Sequence, residues 1–326
     1  MSTTSHLGVD VSKHTLELCI LDGSRAVHAS FPNNREGFLD IARWLDERTF
    51  RVAMEATGRY HERFALFCIA QGWSTYVFDP KGFHNWCKDR HPRGHKTDRI
   101  DARMLAECLQ ETHHRRIPWV APAAVRRQLR ELTRRLSQLT EMMTQEKNRA
   151  GHLPFAGEVE ESHSRVLALL EQEYEQVEAA LDELIEGSEV LSRQLSRLME
   201  IPSCGKVLAR TALAELGDVT RFEKAKDVTA WAGLVPRQHQ SGTSVKKTER
   251  IPRGGNPRLR QMLYMAAMSA MHPKSKWAPW VEPRKERGKE GKVLLVAMMD
   301  KLLRVMWGVL KNDEAFELEK ALGGQG

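Results

Sequence analysis

Four acidic residues are spaced so that they could hold metal ions. Asp10 ends the first predicted strand, Glu55 ends a later one, and Asp98 and Asp101 begin a predicted helix. Acids at strand ends lie where the loops of an α/β sheet open, and acids three residues apart share a helix face. Two Mg²⁺ ions about 4 Å apart would keep such a cluster ionised and would bind phosphate oxygens. The set therefore predicts metal-assisted phosphoryl transfer.

Simpler interpretations of these acids stay open. Asp98 could cap its helix, with Asp101 in the first turn, where the helix dipole favours negative charge. Asp10 could be a turn residue and Glu55 a salt-bridge partner. Spacing along the chain does not show that the four side chains converge.

A second candidate is a serine in a basic loop. Ser241 stands in the segment QSGTSVKKTERIPRGGNPRLRQ, next to Gly242. A serine hydroxyl needs a base or a lowered pKa to become a nucleophile, and nearby cations can stabilise a phosphate. By spacing alone, a serine–glycine pair more often marks a turn, and the cations could bind phosphates without catalysis. The candidate nucleic-acid-binding residues are Lys96, Lys246, Lys247, Arg250, Arg253, Arg258 and Arg260.

The elements that would position the acids form a mixed α/β pattern. Alternating residues in HLGVDVSKHTLELCILDGSRAVHASF predict three antiparallel strands, and the pair Asp22–Gly23 favours a hairpin. Helix, strand, helix, strand and helix follow. This order is RNase H-like, and in that fold the acids come from the first strand, a later strand and a following helix.

The middle of the chain carries a heptad pattern in two arms. The apolar positions are Leu129, Leu132, Leu136, Leu139 and Met143, then Leu170, Tyr174, Val177, Leu181 and Leu184, and finally Leu191, Leu195 and Leu198. The first arm is basic and the second acidic, which favours their pairing. The pattern predicts an antiparallel coiled-coil hairpin or an oligomerising coiled coil, the alternative being two long helices packed on the body.

The last third is predicted to be mostly helical. A helix should end at Gly233, and another should begin at Pro257 with Asn256 as its N-cap. The final long helix is predicted in GKVLLVAMMDKLLRVMWGVLK. The predicted domains are residues 1–122, 123–199 and 200–326.

Composition limits the class of protein. The chain has 326 residues, 41% of them hydrophobic and 29% charged, with a net charge of +7. This balance is typical of a globular protein with a polyanionic partner, most often nucleic acid. The five cysteines are scattered without CxxC spacing, which argues against a zinc site or disulfide framework and favours a reducing cytoplasm. The sequence shows no signal-peptide pattern and no long apolar run, so no membrane association is expected.

Several blocks, in order, resemble one family. They are LGVDVSKHTLEL, MEATGRY, KTDRIDARMLAE, IPSCGKVLARTALAELGDVTRF, WAGLVPRQHQSGTSVKK and GGNPRLRQMLYMAAM. Together they resemble the DEDD-type insertion-sequence transposases of the IS110 family, which are related to the Piv DNA invertases and are also called bridge recombinases. The resemblance covers nearly the whole chain.

The resemblance implies a RuvC-like N-terminal domain, a coiled coil and a C-terminal transposase domain. It implies that Asp10, Glu55, Asp98 and Asp101 bind Mg²⁺, and that Ser241 attacks a DNA phosphate to form a transient phosphoserine. It also implies dimers and tetramers with a site shared between the two domain types. A structured guide RNA would select donor and target DNA by base pairing. A bacterial, nucleoid-associated cytoplasmic protein is expected.

Two other functions also fit the sequence. One is a hydrolytic junction nuclease in which Ser241 is structural, and the other is a non-catalytic nucleic-acid-binding protein. The chain also departs from the family, which usually has a PGIG-type turn where this sequence has Pro202, Ser203, Cys204 and Gly205. Ser203 reduces the flexibility of that turn, so a plain helix connection is predicted there rather than a phosphate site.

Overall fold

The computed structural model describes most of the chain. The described residues are 5–22, 25–46, 48–56, 58, 60–90, 97–151, 157–235, 240–241, 245–246, 251–252, 254–288 and 291–323, with only the backbone described at 22, 240–241 and 245–246. The chain folds into two compact units, Met1–Ala121 and Pro122–Gly326.

The N-terminal unit combines one sheet with helices, as its sequence predicts. Its elements are β1 (Ser5–Val11), β2 (Thr15–Asp22), β3 (Arg25–Pro32), α1 (Arg35–Leu45), β4 (Phe50–Glu55), α2 (Tyr60–Ala70), β5 (Ser74–Phe78), α3 (Pro80–Arg90) and α4 (Asp98–Thr112). The strand order is β3-β2-β1-β4-β5. β1, β2 and β3 are antiparallel neighbours, whereas β4 is parallel to both β1 and β5. This topology is RNase H-like, and it confirms the predicted order of elements.

The two faces of the sheet bury different helices. Leu7 and Val9 of β1 point to one face, where they share a core with Phe38 of α1 and Phe64 of α2. Alternate residues point to the opposite face because side chains alternate along a strand. Cys19 of β2 packs there against α4. The sheet is therefore covered on both sides, and α4 lies on the face that also carries Asp10.

The C-terminal unit is almost entirely helical in its described residues. Its elements are α5 (Ala124–Ala150), α6 (Glu158–Glu186), α7 (Glu189–Met199), α8 (Lys206–Leu216), α9 (Ala225–Ala232), β6 (Gln240–Ser241), β7 (Val245–Lys246), α10 (Pro257–Ala270), α11 (Ala278–Glu286), α12 (Gly291–Asn312) and α13 (Leu318–Gly323). The predicted end at Gly233 is confirmed by its left-handed φ of 79°. The predicted N-cap is confirmed as well, since Asn256 accepts a hydrogen bond from the Leu259 amide.

The heptad positions do face inward on α5 and α6. Leu136 and Leu181 belong to the same core as Leu208 of α8. At the other end of the pair, Glu146 of α5 accepts a hydrogen bond from His163 of α6. The helices therefore run antiparallel, and the hairpin is continuous with the core of the C-terminal unit. A coiled coil, and a separate domain at 123–199, stay predictions.

Buried ion pairs tie the hairpin to α8. Arg210, whose side chain is only 3% exposed, donates hydrogen bonds to Glu178 and Asp182 of α6. Glu215 accepts from Arg134 of α5 at 3.2 and 3.3 Å. Because an unpaired charge at such positions would be costly, these pairs fix how the hairpin packs on the bundle. Among the described residues, no helix is both long enough and apolar enough to cross a membrane.

Candidate functional site

The two strand acids are adjacent at one edge of the N-terminal sheet. Val9 of β1 is paired in parallel with Met54 of β4. Asp10 and Glu55 each follow one of these paired residues, so both lie toward the carboxyl ends of neighbouring strands. The side chains of the two acids also share the face covered by α4, because both are one residue past inward-facing core positions. The fold thus brings together two acids that are far apart in sequence.

The helix acids complete the set. The pKa of Asp10 is raised from 3.8 to about 6. Burial is the largest cause, and the negative charges of Asp98, Asp101 and Glu55 add to it. A weaker opposing effect comes from a hydrogen bond with the Val11 backbone. An electrostatic influence of this kind requires the other carboxylates to be close to Asp10. The charges of the other three predicted acids therefore reach Asp10.

The carboxylates of this site are suitable ligands for a hard divalent cation, but they are not close enough together to coordinate one. Carboxylate oxygens are the ligands that Mg²⁺ prefers, and a cation would relieve the repulsion that raises the pKa of Asp10. Even so, within the described ranges no three acidic, histidine or cysteine side chains converge tightly enough to hold a metal ion. The donor types fit a metal, and the acids would have to move closer together to coordinate one.

Helix capping does not account for Asp98. The N-cap of α4 is Thr97, whose side chain accepts a hydrogen bond from the Ile100 amide at 3.3 Å. The Asp101 amide donates to the Thr97 carbonyl at 2.9 Å. Because Thr97 caps the helix, the interpretation of Asp98 as its N-cap is wrong. Asp98 and Asp101 both lie in the first turn, where the helix dipole favours negative charge, so the structural interpretation of this pair stays open.

A glycine allows α4 to approach the sheet. A Cβ atom at Gly8 would lie 1.9 Å from the Ala102 carbonyl oxygen and 2.5 Å from the Ala106 nitrogen. Both are backbone atoms of α4, so only a residue without a side chain fits between strand and helix. Gly8 precedes Asp10 by two residues on the same face. The close contact therefore sets the distance between the strand acids and the helix acids.

Sequence reasoning missed a further acid on this face. Glu17 of β2 is paired directly with Asp10, and its side chain is 15% exposed. Arg99, in the first turn of α4, lies 3.5 Å from Glu17. This ion pair holds the beginning of α4 over β2. The sequence did contain a signal for this position. Glu17 and Cys19 are two residues apart in β2, so their side chains lie on the same face of the sheet as each other, and Cys19 is buried.

The candidate serine lies in a segment of which little is described. The backbone of Ser241 pairs with Val245 in a short antiparallel ribbon formed by β6 and β7. The side chains of Ser241 and Lys246 lie outside the described residues. Of the other predicted cations, the same holds for Lys96, Lys247, Arg250 and Arg253.

The two remaining predicted cations make contacts within the C-terminal unit. Arg258 donates to the Thr133 carbonyl and to the Ser137 hydroxyl, the latter at 2.6 Å, and lies 3.6 Å from Glu215. Arg260 donates to two backbone carbonyls. Burial lowers the pKa of both guanidinium groups. Structural roles thus explain these two arginines, and binding of nucleic acid by them stays an untested prediction.

The turn after α7 has an unusual backbone. Ser203 has a φ of 69°, a left-handed value that glycine would adopt more easily. Trp277 holds this turn by donating from its indole nitrogen to the Pro202 carbonyl at 2.9 Å. A cavity of about 770 Å³ adjoins the turn, and Lys274 and Lys276 contribute to its lining. The prediction of a plain helix connection here stays untested.

Two family models match different parts of the chain. A transposase model of the DEDD type, named for IS110, matches residues 7–153, which include all four acids. A model described as the Transposase IS116/IS110/IS902 family matches residues 195–280, which include Ser241. The two matched segments follow each other in the order that the resemblance of the sequence predicts.

Curated relatives match along nearly their full lengths. The chain is 27% identical over 323 residues to the pilin gene-inverting protein of Moraxella bovis, covering 97% of this chain and 98% of that protein. It is 24% identical to the transposase for insertion sequence element IS1111A of Coxiella burnetii, covering 95% and 90% of the two chains. It is also 24% identical to a probable family 20 transposase of Pseudomonas aeruginosa, covering 96% and 98%. Both family models match, and these relatives span nearly all of the chain, so its predicted resemblance to the IS110 family of DEDD-type transposases is confirmed.

Proposed function

We propose that this protein is an RNA-guided DNA transposase or recombinase that cuts and exchanges strands through a serine–phosphate intermediate. The observation that carries the proposal is the grouping of Asp10, Glu55, Asp98 and Asp101 at one end of the N-terminal sheet. An acidic cluster of this kind suits a protein whose substrate is a phosphodiester. The resemblance to transposases and to a pilin gene-inverting protein supports DNA as that substrate.

The proposed role of the four acids is to hold Mg²⁺ in a RuvC-like domain. DEDD-type domains typically use a divalent metal. A bound Mg²⁺ would supply a Lewis acid for phosphate oxygens. The acids themselves would hold the ions, and a bound cation would favour the ionised form of Asp10, whose pKa is raised to about 6.

The proposed role of Ser241 is nucleophilic. Its Oγ atom would attack a DNA phosphorus atom, so that an O–P bond forms and the bond from phosphorus to a sugar oxygen breaks. The serine proton leaves to a base, and the departing sugar oxygen takes up a proton to become a hydroxyl group. Strand exchange reverses these steps with a different sugar hydroxyl, which conserves the phosphodiester without an external energy source.

The proposed partners follow from the same family. Donor and target DNA would be selected by a structured guide RNA through base pairing, with the protein binding the backbone of the nucleic acid. A homodimer assembling into a tetramer would bring two DNA molecules together. The net charge of +7 supports a polyanionic partner. The proposed location is the bacterial cytoplasm, in association with the nucleoid.

Covalent trapping tests the chemistry. Purified protein is incubated with nucleic acid and Mg²⁺, and denaturing electrophoresis then detects protein–DNA adducts. We expect adducts with the unchanged protein and none with Ser241→Ala or Asp98→Asn. Ser244→Ala, a serine in the same loop, is the matched control and should retain them. Adducts and strand exchange by Ser241→Ala would show that the nucleophile is assigned wrongly.

The same experiment separates the two rival functions. A hydrolytic junction nuclease needs only the acid site, so Ser241→Ala would cut DNA normally while Asp98→Asn would not. A non-catalytic binding protein would show no Mg²⁺ binding by calorimetry in the presence of its nucleic acid. RNA that copurifies with the protein, and that is needed for adduct formation, would support guidance. Full activity after ribonuclease treatment would exclude it.

A further inference from the structure

The segment that carries Ser241 begins and ends at nearly the same place. It leaves α9 after Ala232 and returns to α10 at Asn256. The Asn256 amide donates a hydrogen bond to the Ala232 carbonyl at 3.3 Å. The two ends of the segment are therefore joined by backbone contact, whatever lies between them.

Arg260 joins the same two ends with its side chain. Its Nη1 atom donates to the Ala232 carbonyl at 2.8 Å and to the Gly254 carbonyl at 2.7 Å. One carbonyl belongs to the outgoing end of the segment and the other to the returning end. Charge-assisted hydrogen bonds are the stronger kind, and a guanidinium group can make several in a fixed geometry. Arg260 therefore links the two ends of the segment, and these hydrogen bonds to Ala232 and Gly254 are called the clasp below.

Two glycines permit the ends to approach this closely. A Cβ atom at Gly233 would lie 2.5 Å from the Gly254 oxygen and 2.6 Å from Arg260 Nη1. Gly255, with a φ of 92°, would place a Cβ atom 2.6 Å from the Ala232 oxygen. No residue with a side chain fits at either position without displacing the backbone. The outgoing and returning chains are in contact at these residues.

The clasp is connected to the interior of the C-terminal unit. Asn256 donates from its side chain to Glu215 at 2.8 Å, and Glu215 is also bound by Arg134 of α5. Glu215 is 9% exposed, so its position is fixed by packing and by these bonds. The ends of the segment are therefore held to a rigid framework rather than only to each other.

We propose that Arg260 is a positioning residue, which holds together the two ends of the Ser241 segment and thereby fixes where the serine is presented to a DNA phosphate. The proposal rests on the proposed function, in that Ser241 is taken as the nucleophile. It differs from the role expected for Arg260 as a phosphate-binding cation. A guanidinium group engaged with two carbonyls cannot bind a phosphate through the same nitrogen.

A charge-conserving substitution distinguishes the two roles. Lysine at position 260 keeps the positive charge but has a shorter side chain and no guanidinium fork. If Arg260 is a clasp, Arg260→Lys and Arg260→Ala should both slow single-turnover adduct formation at saturating DNA by roughly tenfold or more. The salt dependence of DNA affinity should stay unchanged in both. Arg287→Lys, an exposed arginine of the same unit, is the matched control and should behave like the unchanged protein.

A phosphate-binding Arg260 would give the opposite pattern. Arg260→Ala would then lower the slope of log affinity against log salt by about 1, and Arg260→Lys would restore it. That result, or a normal adduct rate in both variants, would overturn the proposal. The rate is normalised to folded protein measured by circular dichroism, so a loss of stability alone does not mimic the expected result.

Hydrogen exchange tests the clasp without relying on activity. In the unchanged protein the Asn256 amide should be protected, and Arg260→Lys should remove this protection while amides of α12 keep theirs. Fast exchange of the Asn256 amide in the unchanged protein would show that the two ends of the segment are not held together. This result does not depend on whether any variant folds. Adducts formed by Ser241→Ala would refute the proposed function instead, and the exchange result would still decide on the clasp.

Discussion

Replacing Gly8 with alanine should separate α4 from β1, and with it Asp98 and Asp101 from Asp10. The new Cβ atom would lie 1.9 Å from the Ala102 carbonyl oxygen, whereas ordinary contacts of a Cβ atom begin near 3.4 Å. The difference between these two distances is 1.5 Å. The Cβ atom is fixed to the backbone of β1 and its partner is a backbone atom of α4, so no side-chain rotation can relieve the overlap.

The displacement predicts two measurable effects. Overpacking a core typically costs about 1–3 kcal/mol, and a clash with backbone belongs at the upper end of this range. A misplacement of about 1 Å in a catalytic group can cost roughly 10²-fold in rate. We therefore expect Gly8→Ala to lower the free energy of unfolding by about 3 kcal/mol. We expect adduct formation to fall roughly 10²-fold per folded molecule.

Denaturant unfolding measures the first effect, and covalent trapping on protein shown to be folded measures the second. Gly308→Ala is the matched control, because a Cβ atom at this helical position meets nothing within 4 Å. That change should be neutral or slightly stabilising, since alanine is favoured in helices by about 1 kcal/mol. Normal stability together with normal activity in Gly8→Ala would refute the close packing of α4 on β1. It would also refute the idea that this packing sets the acid site.

Three further predictions concern buried ionisable groups. A pKa raised to about 6 means that the folded state holds the Asp10 proton more tightly than the unfolded state, so metal-free stability should fall as pH rises from about 4 to 6. Asp10→Asn should abolish that dependence, measured by denaturant unfolding, and should stabilise metal-free protein at pH 7 by about 1 kcal/mol, allowing for partial exposure. Glu215→Gln should destabilise the protein by about 3 kcal/mol in the same measurement, because it leaves the partly buried Arg134 and Arg258 without their buried counterion. Cys19 and Cys204, whose pKa values burial raises to about 11 and about 12, should resist iodoacetamide until the protein unfolds, as mass spectrometry would show.

The N-terminal fold could be predicted because its signals are local. Alternation in β1 to β3 and helical periodicity in α1 reflect which side chains must be buried, and burial is what the structure shows. The short helices α3 and α11 were not predicted. α3 has one buried residue, Phe83, and α11 has a proline, Pro283, inside the helix, so neither shows the apolar stripe that predicts a helix.

The acid site could be predicted only in part. Residue types and strand ends indicated which four acids to choose, but their convergence depends on the contact of Gly8 with α4, which links residues about a hundred positions apart. The role of Glu17 depends on strand register, which a hairpin turn fixes only after folding. Sequence spacing therefore identified the groups, and tertiary packing decided their distances.

The role of the basic residues was the least predictable feature. Arg258 and Arg260 stand in a strongly basic segment, and the segment as a whole suggested binding of phosphate. In the structure Arg258 neutralises Glu215, and Arg260 binds backbone carbonyls. Glu215 lies on a different helix from Arg258, and the Ala232 carbonyl is 28 residues from Arg260, so no local pattern reveals these contacts. A count of cations therefore overstates the surface that is available to nucleic acid.

Two acids show how the environment separates structural from functional carboxylates. Burial alone would raise the pKa of Glu215, but hydrogen bonds from Arg134 and Asn256 lower it below its ordinary value. Burial also raises the pKa of Asp10, and there the neighbouring groups are acids that raise it further. A carboxylate whose charge is already balanced has no need of a ligand. A carboxylate near other carboxylates is stabilised when a cation binds, and this contrast supports the Asp10 cluster, rather than Glu215, as the proposed metal site.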